Sequence, residues 1–545
     1  MVKKPFKARQ NCVIFKMPQI RTFFSDSMVK KIGHIVSISG THLNAILSVG
    51  GDLPLTTGLF VILESGTKAH LGIITKMDVM ETQDISVTIL MKGEIFYTPT
   101  GKISFKKGTS SPVMIGADVV LATDDDLLSI FADIDEACVS LGTISKTNNV
   151  PAKILINRFF GGNFGIFGNR GSGKSTTVCL LMHKIFNAMP YAHCLLFDPH
   201  GEYEVAFNGK AHVIHQDNFV LPYWLLNSEE INRIFLDPQS QTLHLEEEVL
   251  AEIVTQARQR YAAQLEKETS RITVDSPVPY RMGDLIDLLD ERLGSLNESV
   301  KVSILRRMRQ KILSVRGDIR YKFLFPKMGA NQDLHHILTD LLRIPVAGKP
   351  LTLINTSGMM LDVAQVVVST ITRLIFDFLQ WARDLHMPVL MIMDEAQRYL
   401  GDDKSRFSKS TQHLWEQIAM EGRKFGISMG IVTQVPSSLP ASIISQLGTV
   451  MVKKMNSEAE IALLARYVGD MPIEIGESFG GFSRDDVYIA GDGVRNPMTV
   501  KCDPLSDEKK PKSKGGNFLD VWSKDSNPQD HIYAGLASWC DYKPE

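Results

Sequence analysis

The sequence predicts an α/β fold in which a largely parallel sheet is interrupted by a helical insertion and preceded by a small β-barrel. Between about Met28 and Val120, short apolar runs alternate with turn residues; beyond Pro151, apolar strands alternate with helix-periodic stretches. The 545 residues exceed what one hydrophobic core usually holds, and 44% apolar with 22% charged residues is the balance of a folded globular chain.

The elements follow in order. Residues 1–27 form an N-terminal segment that opens with MVKKPFKARQ, basic but with no long apolar stretch behind it. Over 28–145 the runs IGHIVSIS, LFVILES, AHLGIITKM and ISVTILM read as barrel strands, punctuated by Gly50-Gly51, Thr98-Pro99 and Gly101. DDDLLSIFADID reads as helix, and SKTNNVPAK around Pro151 as a linker. The α/β core occupies 152–224 and 346–504, with strands expected at Phe164–Phe167, Cys194–Phe197, Leu351–Asn355, Val389–Met393 and Met429–Thr433. Residues 225–345 are helix-periodic and read as an insertion. LSDEKKPKSKGG lies in an exposed linker, 505–517. The tail, 518–545, carries Trp522, Tyr533, Trp539 and Tyr542, which either pack on their own domain or dock on a neighbour.

Composition narrows the function classes. The six cysteines are scattered without a C-x-x-C pair, so neither a zinc site nor a disulfide framework is indicated. No apolar run approaches the ~20 residues of a membrane span, so a soluble, cytoplasmic protein without a membrane partner is expected. A net charge of −2 excludes a uniformly basic coat, though not a basic channel inside an acidic exterior.

The chemistry begins at Gly168-Asn169-Arg170-Gly171-Ser172-Gly173-Lys174-Ser175-Thr176, which fits G-x-x-x-x-G-K-[ST] between a strand-like NFGIF and a helix-like TTVCLLMHKIF. Glycines let backbone N–H groups converge on phosphate oxygens, and the new helix adds its positive end. Lys174 is expected on the β- and γ-phosphates of a nucleoside triphosphate and the Ser175 hydroxyl on Mg²⁺. PVLMIMDEAQRYL is an apolar strand ending in two acids: Asp394 is placed for Mg²⁺ and Glu395 to polarise a water as general base. IVTQVPSSLP ends a further strand at Gln434, either a γ-phosphate contact or a turn residue. Arg423 in EGRKFG is either a solvated cation or a guanidinium for a transferring phosphoryl group, often supplied in trans. In LLFDPHGEY, Asp198, His200 and Glu202 lack a third well-spaced His or Cys ligand, so turn formation at the nucleotide edge is the reading. The helix-periodic run 299–323 sets Lys301, Arg306, Arg307, Arg309, Lys311 and Arg316 outside an apolar stripe. It is a solvated face, a DNA backbone contact or a dock for an acidic partner.

Together, the phosphate loop, FDPHGEY, DEAQRYL and EGRKFGISMGIVTQVPSSLP make the chain resemble the HerA family of hexameric DNA translocases, in the HerA/FtsK branch of P-loop ATPases. The resemblance implies a RecA-like core behind a HAS-type barrel. It further implies a homo-hexameric ring with ATP at each interface, double-stranded DNA in the channel, and a separate nuclease or sirtuin-like effector. Onto it map Lys174, Ser175, Asp394, Glu395, Gln434 as sensor and Arg423 as interface arginine. Two departures stand out: Gln397 where the family often has the His of D-E-A-H, and Gly162 where a basic residue often precedes the loop, with Arg158 nearby. An ATP-switched scaffold that activates an effector without moving along DNA is the competing reading. An ABC-type ATPase is disfavoured because no L-S-G-G-Q precedes Asp394.

Overall fold

A computed structural model describes residues 31–512 except 49–54, 66–67, 81–83, 98–102, 109, 133–135, 148, 296–298, 326–333, 383, 385–386, 402–405 and 469–470, and beyond these only 523, 532, 533 and 536. The N-terminal segment, the Gly50-Gly51, Thr98-Pro99 and Gly101 turns, and Trp522, Trp539 and Tyr542 lie outside the described residues. The chain divides into two compact units, neither continuous in sequence: Met1–Ile156 with Asn456–Phe482 and Asp486–Cys502, and Asn157–Met455 with Ser483–Asp485 and Asp503–Glu545.

In the first unit six antiparallel strands close a barrel in the order His42–Leu47, Lys31–Ser39, Asp118–Leu121, Phe60–Ser65, Lys68–Val79, Ile85–Tyr97, with the last pairing back to the first. Alternate residues face inward, and Ile35, Leu43, Val61, Ile89 and Val119 are fully buried there. Ile103–Lys107 adds to the edge of Ile85–Tyr97 outside the ring. A second antiparallel group comprises Cys138–Ile144, Pro151–Leu155, Asp486–Gly491 and Met498–Cys502. The segment around Pro151 is therefore a turn between paired strands, not an open linker. Proline is tolerated as the first residue of a strand, and the Ile144 N–H closes the turn on the Val150 carbonyl (2.8 Å).

In the second unit the strands run Ala211–Ile214, Leu351–Asn355, His193–Asp198, Val389–Met393, Ile427–Thr433, Phe164–Phe167, Thr449–Val452, and every neighbouring pair is parallel. Parallel strands with both faces covered read as unbroken apolar runs. Accordingly, all residues of Val389–Met393 and Ile427–Thr433 are buried. Their shared direction brings every C-terminal end to one edge, where ligands of open α/β sheets bind.

Five helices, Ser228–Phe235, Leu243–Gln264, Met282–Ser295, Ser299–Gly317 and Leu334–Leu342, form the insertion between Ala211–Ile214 and Leu351–Asn355. In the basic helix Ile304, Leu305, Met308 and Ile312 are buried. Arg309 forks onto Asp290 (2.7 and 3.1 Å), and Arg307 pairs with the buried Glu246. Arg306, Lys311 and Arg316 face solvent. Among the described residues no helix is long and apolar enough to cross a membrane.

Candidate nucleotide site

The strand Phe164–Phe167 breaks at Gly168, and the helix Lys174–Ala188 begins six residues later. The turn depends on glycine at both ends. Gly168 has φ of 154° and Gly173 of 94°, and a Cβ would lie 2.7 Å from the Lys453 Cβ at the first and 2.9 Å from the Arg484 carbonyl at the second. Asn169 donates its N–H to the Lys454 carbonyl (2.8 Å), and Ser172 donates to the Asn169 carbonyl (3.2 Å). Lys174 is buried, its ammonium donating to the Gly168 and Asn169 carbonyls (2.9 and 3.1 Å). Burial pulls its pKa below the ordinary value, while Glu395, Asp394 and Glu202 pull the other way.

A cleft of about 870 Å³ opens over this turn. The loop residues Arg170, Gly171, Gly173, Lys174, Ser175 and Thr176 form its floor, and Asp394, Glu395 and Gln434 one wall. Asp394 ends its strand fully enclosed, and burial together with neighbouring Glu395 pushes its carboxyl up to about 7. It accepts from the Tyr203 hydroxyl (2.9 Å) and from the Glu395 N–H (2.9 Å). Glu395 sits at φ 47°, a left-handed conformation costing a non-glycine residue about 1–3 kcal/mol. It is held there by its own bond to Asp394 and by the Ala396 N–H on the Val432 carbonyl (3.0 Å). The Gln434 amide donates to one Glu395 oxygen (2.7 Å) and the Gln397 amide to the other. These bonds aim the carboxylate into the cleft.

Arg423 stands apart. It is exposed in the turn Gly422–Phe425, ahead of Ile427–Thr433, whereas Gln434 follows that strand. Six residue steps at ~3.3 Å separate the strand's ends by about 20 Å, so Arg423 is at the sheet end away from its own phosphate loop. Arg158, on the short helix Ile156–Phe160 before Phe164–Phe167, is at the same end. Asn163 ties the two regions by donating to the Ala419 carbonyl (2.9 Å) and accepting from the Met429 N–H (3.2 Å).

Comparison with known proteins now bears on this geometry. Residues 139–375 match the family model described as the central domain of helicase HerA. The chain is 24% identical over 536 residues to the DNA double-strand break repair helicase HerA of Sulfurisphaera tokodaii, covering 93% of this chain and 99% of that protein. It is also 24% identical over 534 residues to the protein of that name from Sulfolobus acidocaldarius, with the same two coverages. Over most of its length the chain is similar to HerA helicases. Among solved structures it is similar to VirB4 of Thermoanaerobacter pseudethanolicus, with a TM-score of 0.49 and 13% identity over 68% of this chain and 98% of that one.

Three features of this site escape motif reading. Tyr203 carries its hydroxyl from the loop after His193–Asp198 to Asp394 (2.9 Å). That loop is shaped by Asp198, which accepts from the N–H groups of His200, Gly201 and Tyr203 (3.1, 2.7 and 3.1 Å) and so has the turn-forming role expected from the sequence. Gln397, at the position of the missing His, accepts from the Thr433 hydroxyl (2.6 Å) while donating to Glu395. Arg484 and Pro511 line the cleft from distant sequence. The only hint of Tyr203 was its place in FDPHGEY; nothing in the sequence around Arg484 or Pro511 pointed to the site.

Proposed function

We propose that this chain converts ATP hydrolysis into movement on double-stranded DNA as a homo-hexameric ring, and passes the DNA to, or activates, a separate nuclease or sirtuin-like effector in DNA-end processing or antiphage defence. The observation that carries the reading is the split site. Loop, Lys174, Asp394, Glu395 and Gln434 converge on one cleft, while Arg423 is at the far sheet end, where only another subunit can use it. The names of its relatives, double-strand break repair helicases, support the substrate.

In this reading the N–H groups of residues 168–176 cradle the phosphates, and Lys174 turns its ammonium from the loop carbonyls to the β- and γ-oxygens. Ser175 and Asp394 are hard oxygen donors lining one cleft, a set suited to Mg²⁺, which when bound would neutralise charge on the phosphate oxygens. Glu395 takes the proton of the attacking water, and Gln434, already bonded to it, registers loss of the γ-phosphate. Arg423 of a neighbouring copy stabilises the charge that develops.

One observation favours the scaffold alternative. Arg307 and Arg309 of the basic helix are engaged within the chain, leaving less of that face for DNA. Measuring hydrolysis with and without double-stranded DNA decides. A translocase is stimulated by DNA in a salt-dependent manner. If neither rate nor binding responds to DNA while an effector raises the rate, the scaffold reading holds instead.

A further inference from the structure

The wall of the cleft opposite Glu395 has no role in the chemistry above. Along the sheet edge the strand ends follow one another as Asp394, Thr433, the phosphate loop and Lys453. Glu395 and Gln434, which face the terminal phosphate, are therefore on one flank of the loop. A nucleotide whose γ-phosphate points to that flank carries its base towards the other.

Two devices complete the cleft, one on the Lys453 flank and one held by the loop after His193–Asp198. Lys453, 1% exposed, donates its ammonium to the Arg484 carbonyl (2.7 Å), and that carbonyl packs against Gly173. The 483–485 turn is thereby pinned onto the loop, with Arg484 lining the cleft. The chain leaving Met498–Cys502 then crosses the helix Lys174–Ala188. Asp503 pairs with Lys184 (2.6 Å), and Lys512 donates its N–H to the Glu202 carbonyl (2.9 Å), which sets Pro511 on the rim. The segment that reads as a linker is tied down at Lys512 and, just ahead of it, at Asp503.

We propose that Arg484 and Pro511 are the two walls of a nucleobase subsite that takes a purine by stacking. A guanidinium is planar and weakly hydrated and stacks on π faces, and a pyrrolidine ring offers a flat apolar surface. Anchoring of both backbones lowers the ordering cost of binding. The inference rests on the reading of the cleft as an ATP site.

The test is equilibrium binding of ATP, CTP and inorganic tripolyphosphate to the full chain and to its Arg484→Ala and Pro511→Gly variants. The subsite predicts that Arg484→Ala weakens ATP by about tenfold and narrows the ATP-over-CTP preference, while tripolyphosphate binding is unchanged. Pro511→Gly shifts ATP binding the same way by a smaller factor. Equal loss of ATP and tripolyphosphate would make Arg484 a phosphate ligand and overturn the proposal, as would unchanged ATP binding in both variants. A wild-type chain that binds neither ATP nor tripolyphosphate would instead sink the ATPase reading.

Discussion

At the residue scale, the site is a set of buried carboxylates aimed by neighbours that motif reading passes over. Glu395→Gln keeps size and shape, so nucleotide binding should persist while turnover falls by about 10²–10⁴, measured as single-turnover hydrolysis. A variant retaining most of its turnover would remove Glu395 as general base. Tyr203→Phe leaves a buried Asp394 oxygen without its donor. It should cost about 1–3 kcal/mol in urea unfolding and raise the Mg²⁺ concentration needed for tight nucleotide binding. Gln397→Ala frees both Glu395 and Thr433, so it should lower kcat more than it raises KM. The acids and the loop were legible because their spacing is dictated by phosphate chemistry. Tyr203 was not legible as an acid-binding group, because its hydroxyl meets a carboxylate 191 positions away only through the fold.

At the scale of elements, long apolar runs declared themselves: Phe164–Phe167, Leu351–Asn355 and Val389–Met393 have the expected bounds. His42–Leu47 was hidden behind the tight Gly40-Thr41 turn, and the four-residue strands Ala211–Ile214 and Asp118–Leu121 are too short to show a period. Nor does any local pattern reveal that Met498–Cys502 pairs with Cys138–Ile144, since that register is set across the whole chain. The barrel also holds a polar knot that no pattern announces. Burial alone would raise the Glu94 carboxyl, but hydrogen bonds from Ser111 and Ser110 outweigh it and bring it to about 2. His70, which bonds Ser111, is held below its ordinary value by burial. Both shifts mean that the unfolded chain binds more protons, so stability declines with acid. The His70 share starts to go as pH falls below the ordinary imidazole value of 6.5. The Glu94 share is full above 4.5 and is lost as pH falls through about 2. Wild type should therefore lose its advantage over Glu94→Gln across that lower window in acid unfolding; parallel curves would contradict the assignment.

At the scale of the whole molecule, the cleft gathers Lys174, Asp394, Glu395 and Gln434, while Arg423 sits at the far sheet end. In the proposed ring such a division would tie turnover to assembly, because one copy's Arg423 would meet another copy's Glu395 only when subunits are adjacent. Arg423→Ala should accordingly lower hydrolysis more than nucleotide binding. The most direct measurement mixes two inactive proteins, Arg423→Ala and Glu395→Gln, and follows ATP hydrolysis as they exchange subunits. The account predicts that mixing restores part of the turnover, since an intact Glu395 from one variant then faces an intact Arg423 from the other. Activity that stays at the sum of the two separate variants would contradict it.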